Sequence, residues 1–335
     1  MLASRNHASA LPRLIVEPDD GLDPVREFIN SAQKSLLIKQ FTFTEPSLIA
    51  AVIARKNAGV DVRVMLNAQR SGGDRANDET YEQLKNAGVA DKWSSSKFYV
   101  THEKSIVVDE NAALVATFNL MEKYFTLTRD YGIITDNPYH VAQIVEVFNA
   151  DWEERDWDCD AYEGLLWSNS NSRYHMAQFI DTATERLDVQ HPKYVDTVIL
   201  ERLAAAADRG VKVHVLCGGK HGISEWDILD TFASLRTLTR FGVKVHKQKN
   251  LRVHAKLIVV DNRHALVGSM NIDRSAFDLR RELGIMTDDR AIVGRLKTVF
   301  DSDWELSHHY EAPDPLEPSQ HHEDDFPHDH DLMHE

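Results

Sequence analysis

One set of reactive side chains occurs twice in this chain. His102, Lys104, Asp109 and Asn119 form the first set, and His254, Lys256, Asp261 and Asn271 form the second, each 152 positions after its partner. The register continues through Asp130 and Glu282, Gly132 and Gly284, and Trp152 and Trp304. An imidazole gives and takes a proton near neutral pH and can attack an electrophile, while the lysine beside it supplies a fixed positive charge. Two such pairs in register point to one site built from two halves and suited to proton transfer or nucleophilic attack on an anion. A single HxKxxxxD pattern is a weak motif. Two copies, each with an Asn seventeen positions after its His, are not chance.

The elements that must position these residues repeat as well. Val25 to Ala32 reads as a helix and Ser35 to Phe43 as a strand. Leu48 to Lys56 is an amphipathic helix closed by Gly59, followed by a strand from Val60 to Leu66. In the second half Phe179 and Ile180 answer Phe28 and Ile29 at an offset of 151, Thr197 to Ala207 is a helix closed by Gly210, and Val211 to Leu216 is a strand. Strand, helix, strand with short links predicts an α/β fold whose halves each hold a mixed, mostly parallel sheet flanked by helices. The motifs are expected on the apolar strands that include Ser105 to Val108 and Leu257 to Val260, with His and Lys two apart and so on one face. A further strand, Ala113 to Ala116 or Ala265 to Gly268, would then deliver the Asn. The expected units are 1–155, 156–312 and a tail, 313–335, with residues 153 to 164 as the joint.

Composition bounds the function. The net charge is −15, and residues 313 to 335 hold eight acids and no Lys or Arg, which leaves −7 for the rest. That is not the strongly basic surface of a protein gripping nucleic acid through phosphates, although Lys244, Lys247, Lys249 and Arg252 form a local basic patch. No apolar run is long enough to cross a membrane, and Met1 to Leu14 has no secretory core, so a cytoplasmic enzyme is expected. Cys159 and Cys217 have no zinc or redox spacing. The tail, with His321, His322, His328, His330 and His334 among prolines and acids, is expected to be disordered and to play no part in catalysis.

The paired motifs, with Gly268-Ser269-Met270-Asn271 and its continuation Ile272-Asp273-Arg274-Ser275, resemble those of the phospholipase D superfamily over residues 12 to 310. The first half departs by placing Ala116-Thr117 where the second has Gly268-Ser269, which keeps a hydroxyl and loses a glycine. The resemblance implies two halves about a pseudo-twofold axis with the active site at their interface. It implies a phosphodiesterase that hydrolyses a glycerophospholipid, or transfers its phosphatidyl group to an alcohol, through a phosphohistidine and with no metal or other cofactor. His102 is then the nucleophile and His254 the acid/base, an order that the near-symmetry of the sequence itself does not supply. Lys104 and Lys256 would clamp the phosphoryl oxygens, with Asn119, Asn271, Ser269 and Thr117 also binding phosphate. Asp130 and Glu282 would bond the histidines, and Asp109 and Asp261 would support the motifs.

Two other classes compete. A metal-independent nuclease of the same superfamily would need a basic groove, whereas a lipid enzyme would need an apolar channel. A non-catalytic phosphate-binding module has no use for two proton-transfer groups. The partner expected is a phospholipid or another phosphodiester, compatible with peripheral contact to a membrane; nucleic acid ranks second. Specificity is expected in loops 68 to 80 and 217 to 228. Trp152 and Trp304 read as core. His191, His221 and His264 have no counterpart in the first half and read as structural or exposed, although His191 and Tyr194 follow the early strand of the second half.

Overall fold

The computed structural model describes residues 13–70, 72–158, 163–221, 223–314 and 316, so Cys159 and nearly all of the acidic tail lie outside the described residues. The first half runs β1 (Leu14–Glu17), α1 (Asp23–Asn30), β2 (Ser35–Gln40), α2 (Pro46–Asn57), β3 (Asp61–Leu66), α3 (Asp78–Asn86), β4 (Ala90–Trp93), β5 (Ser105–Val108), β6 (Ala112–Ala116), β7 (Thr128–Thr135) and α4 (Pro138–Trp152). The second runs β8 (Leu165–Ser168), α5 (Ser172–Asp181), β9 (Arg186–Gln190), α6 (Thr197–Asp208), β10 (Lys212–Cys217), α7 (Glu225–Arg240) and β11 (Lys244–Lys247). It continues through β12 (Arg252–Val253), β13 (Leu257–Val260), β14 (His264–Gly268), α8 (Arg274–Asp278), β15 (Glu282–Thr287), α9 (Arg290–Glu305) and β16 (His308–His309).

Local chemistry sets the boundaries. The Glu45 carboxylate accepts from Ser47 N at the start of α2, where Pro46 has no N–H and needs no acceptor, and Asp196 accepts from Ile199 N at the start of α6. Gly59 and Gly210 follow those helices at φ +89° and +90°, a left-handed turn that glycine adopts without a Cβ clash.

The sheet orders are β1-β7-β6-β5-β2-β3-β4 and β16-β11-β10-β9-β13-β14-β15-β8. Both are mixed, but they are not mostly parallel. Apart from the short β12, which joins β7, the parallel pairs are β2-β3-β4 and β9-β10-β11, joined through helices; β5 and β13 run antiparallel to both neighbours. The turn after each motif accounts for the pairing of β5 with β6 and of β13 with β14. Asp109 and Glu110, and likewise Asp261 and Asn262, take φ of 50° to 55°, and the N–H of Asn111 or Arg263 closes the turn onto Val108 or Val260. Two left-handed residues in a tight turn make a hairpin, which reverses the chain.

The two sheets share an inner core. Val107, Val115 and Ile133 on one side meet Val259, Val267 and Ile285 on the other, with Ile144 and Phe148 of α4 and Leu296 and Phe300 of α9. Each such side chain contributes roughly 1.5–3 kcal/mol by leaving water, so the face between the halves is permanent. Trp152 and Trp304 sit half-buried at its margin rather than inside it, Trp304 stacking on His246 at 3.8 Å. Among the described residues no helix is long and apolar enough to cross a membrane.

Candidate active site

The motif residues lie just before their strands, not on them. The N–H groups of His102 and Glu103 both donate to Arg281 O at 2.9 Å, and those of His254 and Ala255 to Arg129 O at 3.3 and 2.8 Å. Each motif therefore leaves its own sheet and bonds to the strand entry of the opposite half; β12 pairs with β7 in parallel, and Thr101 bridges Arg281. Each segment returns to its own sheet at the lysine, whose carbonyl accepts from Ala116 N at 3.0 Å or Gly268 N at 3.3 Å.

That backbone exchange places each histidine beside the other half's acid. His102 Nδ1 lies 3.0 Å from Glu282 Oε2 and 3.1 Å from Ser269 O, while His254 Nδ1 lies 2.6 Å from Asp130 Oδ1. With Nδ1 held, the Nε2 atom of each ring is the one left for chemistry. Lys256 Nζ is 2.9 Å from His254 Nε2, and Lys104 Nζ donates to His102 O at 2.8 Å. Phe41 meets the His102 ring edge-on at 4.7 Å, and Tyr124 lies against His254 at 4.6 Å. His102, Lys104, Asn119, His254, Lys256 and Asn271 are all buried, as are Asp130 and Glu282.

The two acids are not equivalent. Asp130 receives hydroxyl protons from Thr117 at 2.5 Å and Thr128 at 2.6 Å besides facing His254, so its negative charge is well solvated by the protein. Glu282 is pushed up to about 8: burial dominates, opposed by Lys104, Arg280 and a Ser269 hydroxyl bond. Thr117 and Ser269 also take N–H bonds from Tyr131 and Leu283 at 2.9 and 3.1 Å. Their hydroxyls thus serve the acids and the adjoining strands, and Thr117 does so without the glycine that precedes Ser269.

Asp109 accepts from the N–H groups of Gln33, Lys34 and Ser35, and Asp261 from those of Thr184, Glu185 and Arg186. Burial would raise both carboxyls, but these N–H groups hold them low. Neither faces the histidines.

Further buried ion pairs repeat the exchange between halves. Arg129 grips Asp303 at 2.8 and 3.0 Å, and Arg281 grips Asp151 at 3.0 and 2.9 Å. Lys39, fully buried, bridges Asp151 and Glu103. Arg129 pairs not with its neighbour Asp130 but with an acid 174 residues away. The signal was available, because Asp151 and Asp303 share the 152-residue offset.

Two similar α/β halves that hold a crossed pair of histidine–acid dyads and two buried lysines define a two-fold-repeated fold with a single composite site. Residues 25–152 and 176–304 each match the family model described as cardiolipin synthase, phospholipase D-like domain, and the chain belongs to that family, within the phospholipase D superfamily. A cardiolipin synthase of Oceanobacillus iheyensis is 26% identical over 325 residues, covering 85% of this chain and 67% of that protein. Cardiolipin synthase 2 of Staphylococcus epidermidis is 26% identical over 237 residues, covering 62% of this chain and 48% of its own length. The chain thus spans between about half and two thirds of these relatives. In fold it is similar to phosphatidylserine synthase of Haemophilus influenzae (TM-score 0.68, 13% identity, 90% of this chain and 88% of that one). Polyphosphate kinase of Porphyromonas gingivalis is also similar in fold (TM-score 0.67, 15% identity, 87% and 50%).

Proposed function

We propose that this chain transfers the phosphatidyl group of a glycerophospholipid to an alcohol through a phosphohistidine, with hydrolysis to phosphatidate as the competing outcome. The observation that carries the reading is the crossed dyads, which fix Nδ1 of both histidines and leave Nε2 to react. The names of the relatives support a lipid transfer reaction over simple hydrolysis.

A phosphodiester is an anion and resists an anionic nucleophile, so a neutral imidazole suits the attack. Lys104 and Lys256 neutralise the non-bridging oxygens, and the amides of Asn119 and Asn271 add hydrogen bonds. His102 is the better nucleophile. Its Nδ1–H can rest on Ser269 O, and a Glu282 that holds its proton near neutral pH does not draw the ring into its cationic form. His254 is the better acid, because the Asp130 carboxylate 2.6 Å from its Nδ1, itself bonded by Thr117 and Thr128, stabilises its imidazolium.

In the first step His102 Nε2 bonds to phosphorus, the bond to the head-group oxygen breaks, and His254 gives that oxygen its Nε2 proton. In the second step an alcohol or water loses its proton to His254 Nε2 and attacks phosphorus, and the P–N bond breaks. Lys256 must turn from His254 toward the phosphoryl oxygens as substrate arrives.

The test is turnover of mixed phospholipid micelles in excess EDTA, with single-stranded DNA in parallel. Lipid product that survives EDTA and vanishes in His102→Ala supports the reading. DNA cleavage without lipid turnover would replace the substrate class.

A further inference from the structure

We propose that His191 is a third imidazole of this site, which seats the hydroxyl of the incoming alcohol beside Lys256 and so sets the balance between transfer and hydrolysis. This rests on the phosphatidyl-transfer reading above.

The offset of 151 that relates Phe28 to Phe179 and the helix caps Glu45 to Asp196 also relates Gln40 to His191. The ladder of β2 with β5 ends at Lys39 opposite Ser105, and that of β9 with β13 at Gln190 opposite Leu257. One residue further along, the same registers oppose Gln40 to Lys104 and His191 to Lys256. Directly opposed residues of antiparallel strands share a face. Both are 1% exposed, and Gln40 Oε1 and His191 Nδ1 have no hydrogen-bond partner among the described residues. Buried polar atoms are nearly always bonded, so an orphan across the strand from each motif lysine marks a group that bonds to substrate.

The pair also breaks the pseudo-symmetry where it matters. The His191 backbone is pinned by bonds from its N–H to Leu216 O at 3.3 Å and to the Tyr194 hydroxyl at 3.2 Å. Burial, then Lys256, holds the ring well below the usual histidine range, so it stays neutral, with one donor and one acceptor nitrogen. A hydroxyl needs that combination. His191 stands on the side where Lys256 meets His254, the group that takes the alcohol proton as oxygen bonds to phosphorus and the bond to His102 breaks. Gln40 stands on the side of Lys104 and serves the phosphoryl group.

The experiment measures the ratio of labelled phosphatidylglycerol to phosphatidate formed by the full chain from phosphatidylglycerol micelles with deuterated glycerol. Both products come from one intermediate, so the ratio is independent of how much enzyme is folded. His191→Gln, the residue of the first half, is expected to shift the ratio toward phosphatidate at least about fivefold, and His191→Asn in the same direction. Gln40→Ala is expected to lower total turnover and leave the ratio unchanged. A ratio within twofold of the natural chain in whichever His191 variant turns over, or a shifted ratio in Gln40→Ala, overturns the assignment. Absence of both products from the natural chain would instead remove the reading of the reaction.

Discussion

His102 takes its carboxyl partner from 180 residues away: Glu282 Oε2 lies 3.0 Å from its Nδ1, and Asp130 is lent in return to His254 at 2.6 Å. Neither half contains a complete dyad. The exchange explains why the halves are locked by two buried Arg–Asp pairs, because a shift of one sheet against the other would mis-aim both rings.

The unequal acids predict unequal mutants. Asp130→Asn removes the charge that stabilises the His254 imidazolium and is expected to lower kcat by about 10²- to 10⁴-fold, the range of general acid–base catalysis. Glu282→Gln replaces a carboxyl already held protonated near neutral pH and is expected to cost roughly tenfold or less. Steady-state rates at pH 7 on a lipid substrate check this; equal losses would refute the difference between the dyads.

The histidine roles are separable with an activated leaving group, which needs no proton from the enzyme. Offered a nitrophenyl phosphodiester, His254→Ala is expected to release a single stoichiometric burst of nitrophenol and retain an acid-labile phosphoryl group. His102→Ala is expected to show neither. A burst from His102→Ala and none from His254→Ala would reverse the assignment.

Glu17 predicts a pH dependence of stability. It is fully buried and lies opposite Asp130 across β1 and β7. Burial first, then the charges of Asp130, Asp20 and Asp19, push it up to about 9 from 4.5 against a lowering backbone bond from Gly21. Between those values the folded chain keeps a proton that the unfolded chain releases, so stability falls as pH rises through that window and levels off above it. Glu17→Gln is expected to be more stable than the natural chain by a few kcal/mol at pH 8, with little difference at pH 4.5, the slope being at most ~1.4 kcal/mol per pH unit. Urea unfolding at several pH values measures it, and parallel curves would contradict it.

Asp261 and Asp109 are expected to matter for folding rather than chemistry. Asp261→Ala leaves three backbone N–H groups at the strand start without their carboxylate. The expected loss is about 2–4 kcal/mol of stability, with kcat per folded molecule changed less than threefold. Calorimetry beside active-site titration separates the two, and a stable but inactive variant would place Asp261 in the chemistry.

Much of this was readable along the chain because it is local. The glycines after α2 and α6 and the apolar runs Ser105 to Val108 and Leu257 to Val260 act within a few residues, so pattern alone places them. The hairpin at Asp109 and Glu110 was missed, and with it the antiparallel run of β5, because neither residue is the glycine that such turns usually announce. The start of each motif was drawn onto its strand because nothing in His102-Glu103 says that its N–H groups bond elsewhere.

The sequence by itself determined the duplication, the family, the inventory of histidines, lysines, amides and acids, and the repetition that makes one site from two halves. Only the tertiary structure decided which acid serves which histidine, where Arg129 and Arg281 find their partners, and which buried groups stand unbonded. The reason is physical. A repeat at constant offset presents two near-identical sets of polar groups, and either pairing satisfies the pattern of the chain. The choice is made when the two sheets pack on a shared core and each motif hydrogen-bonds across it.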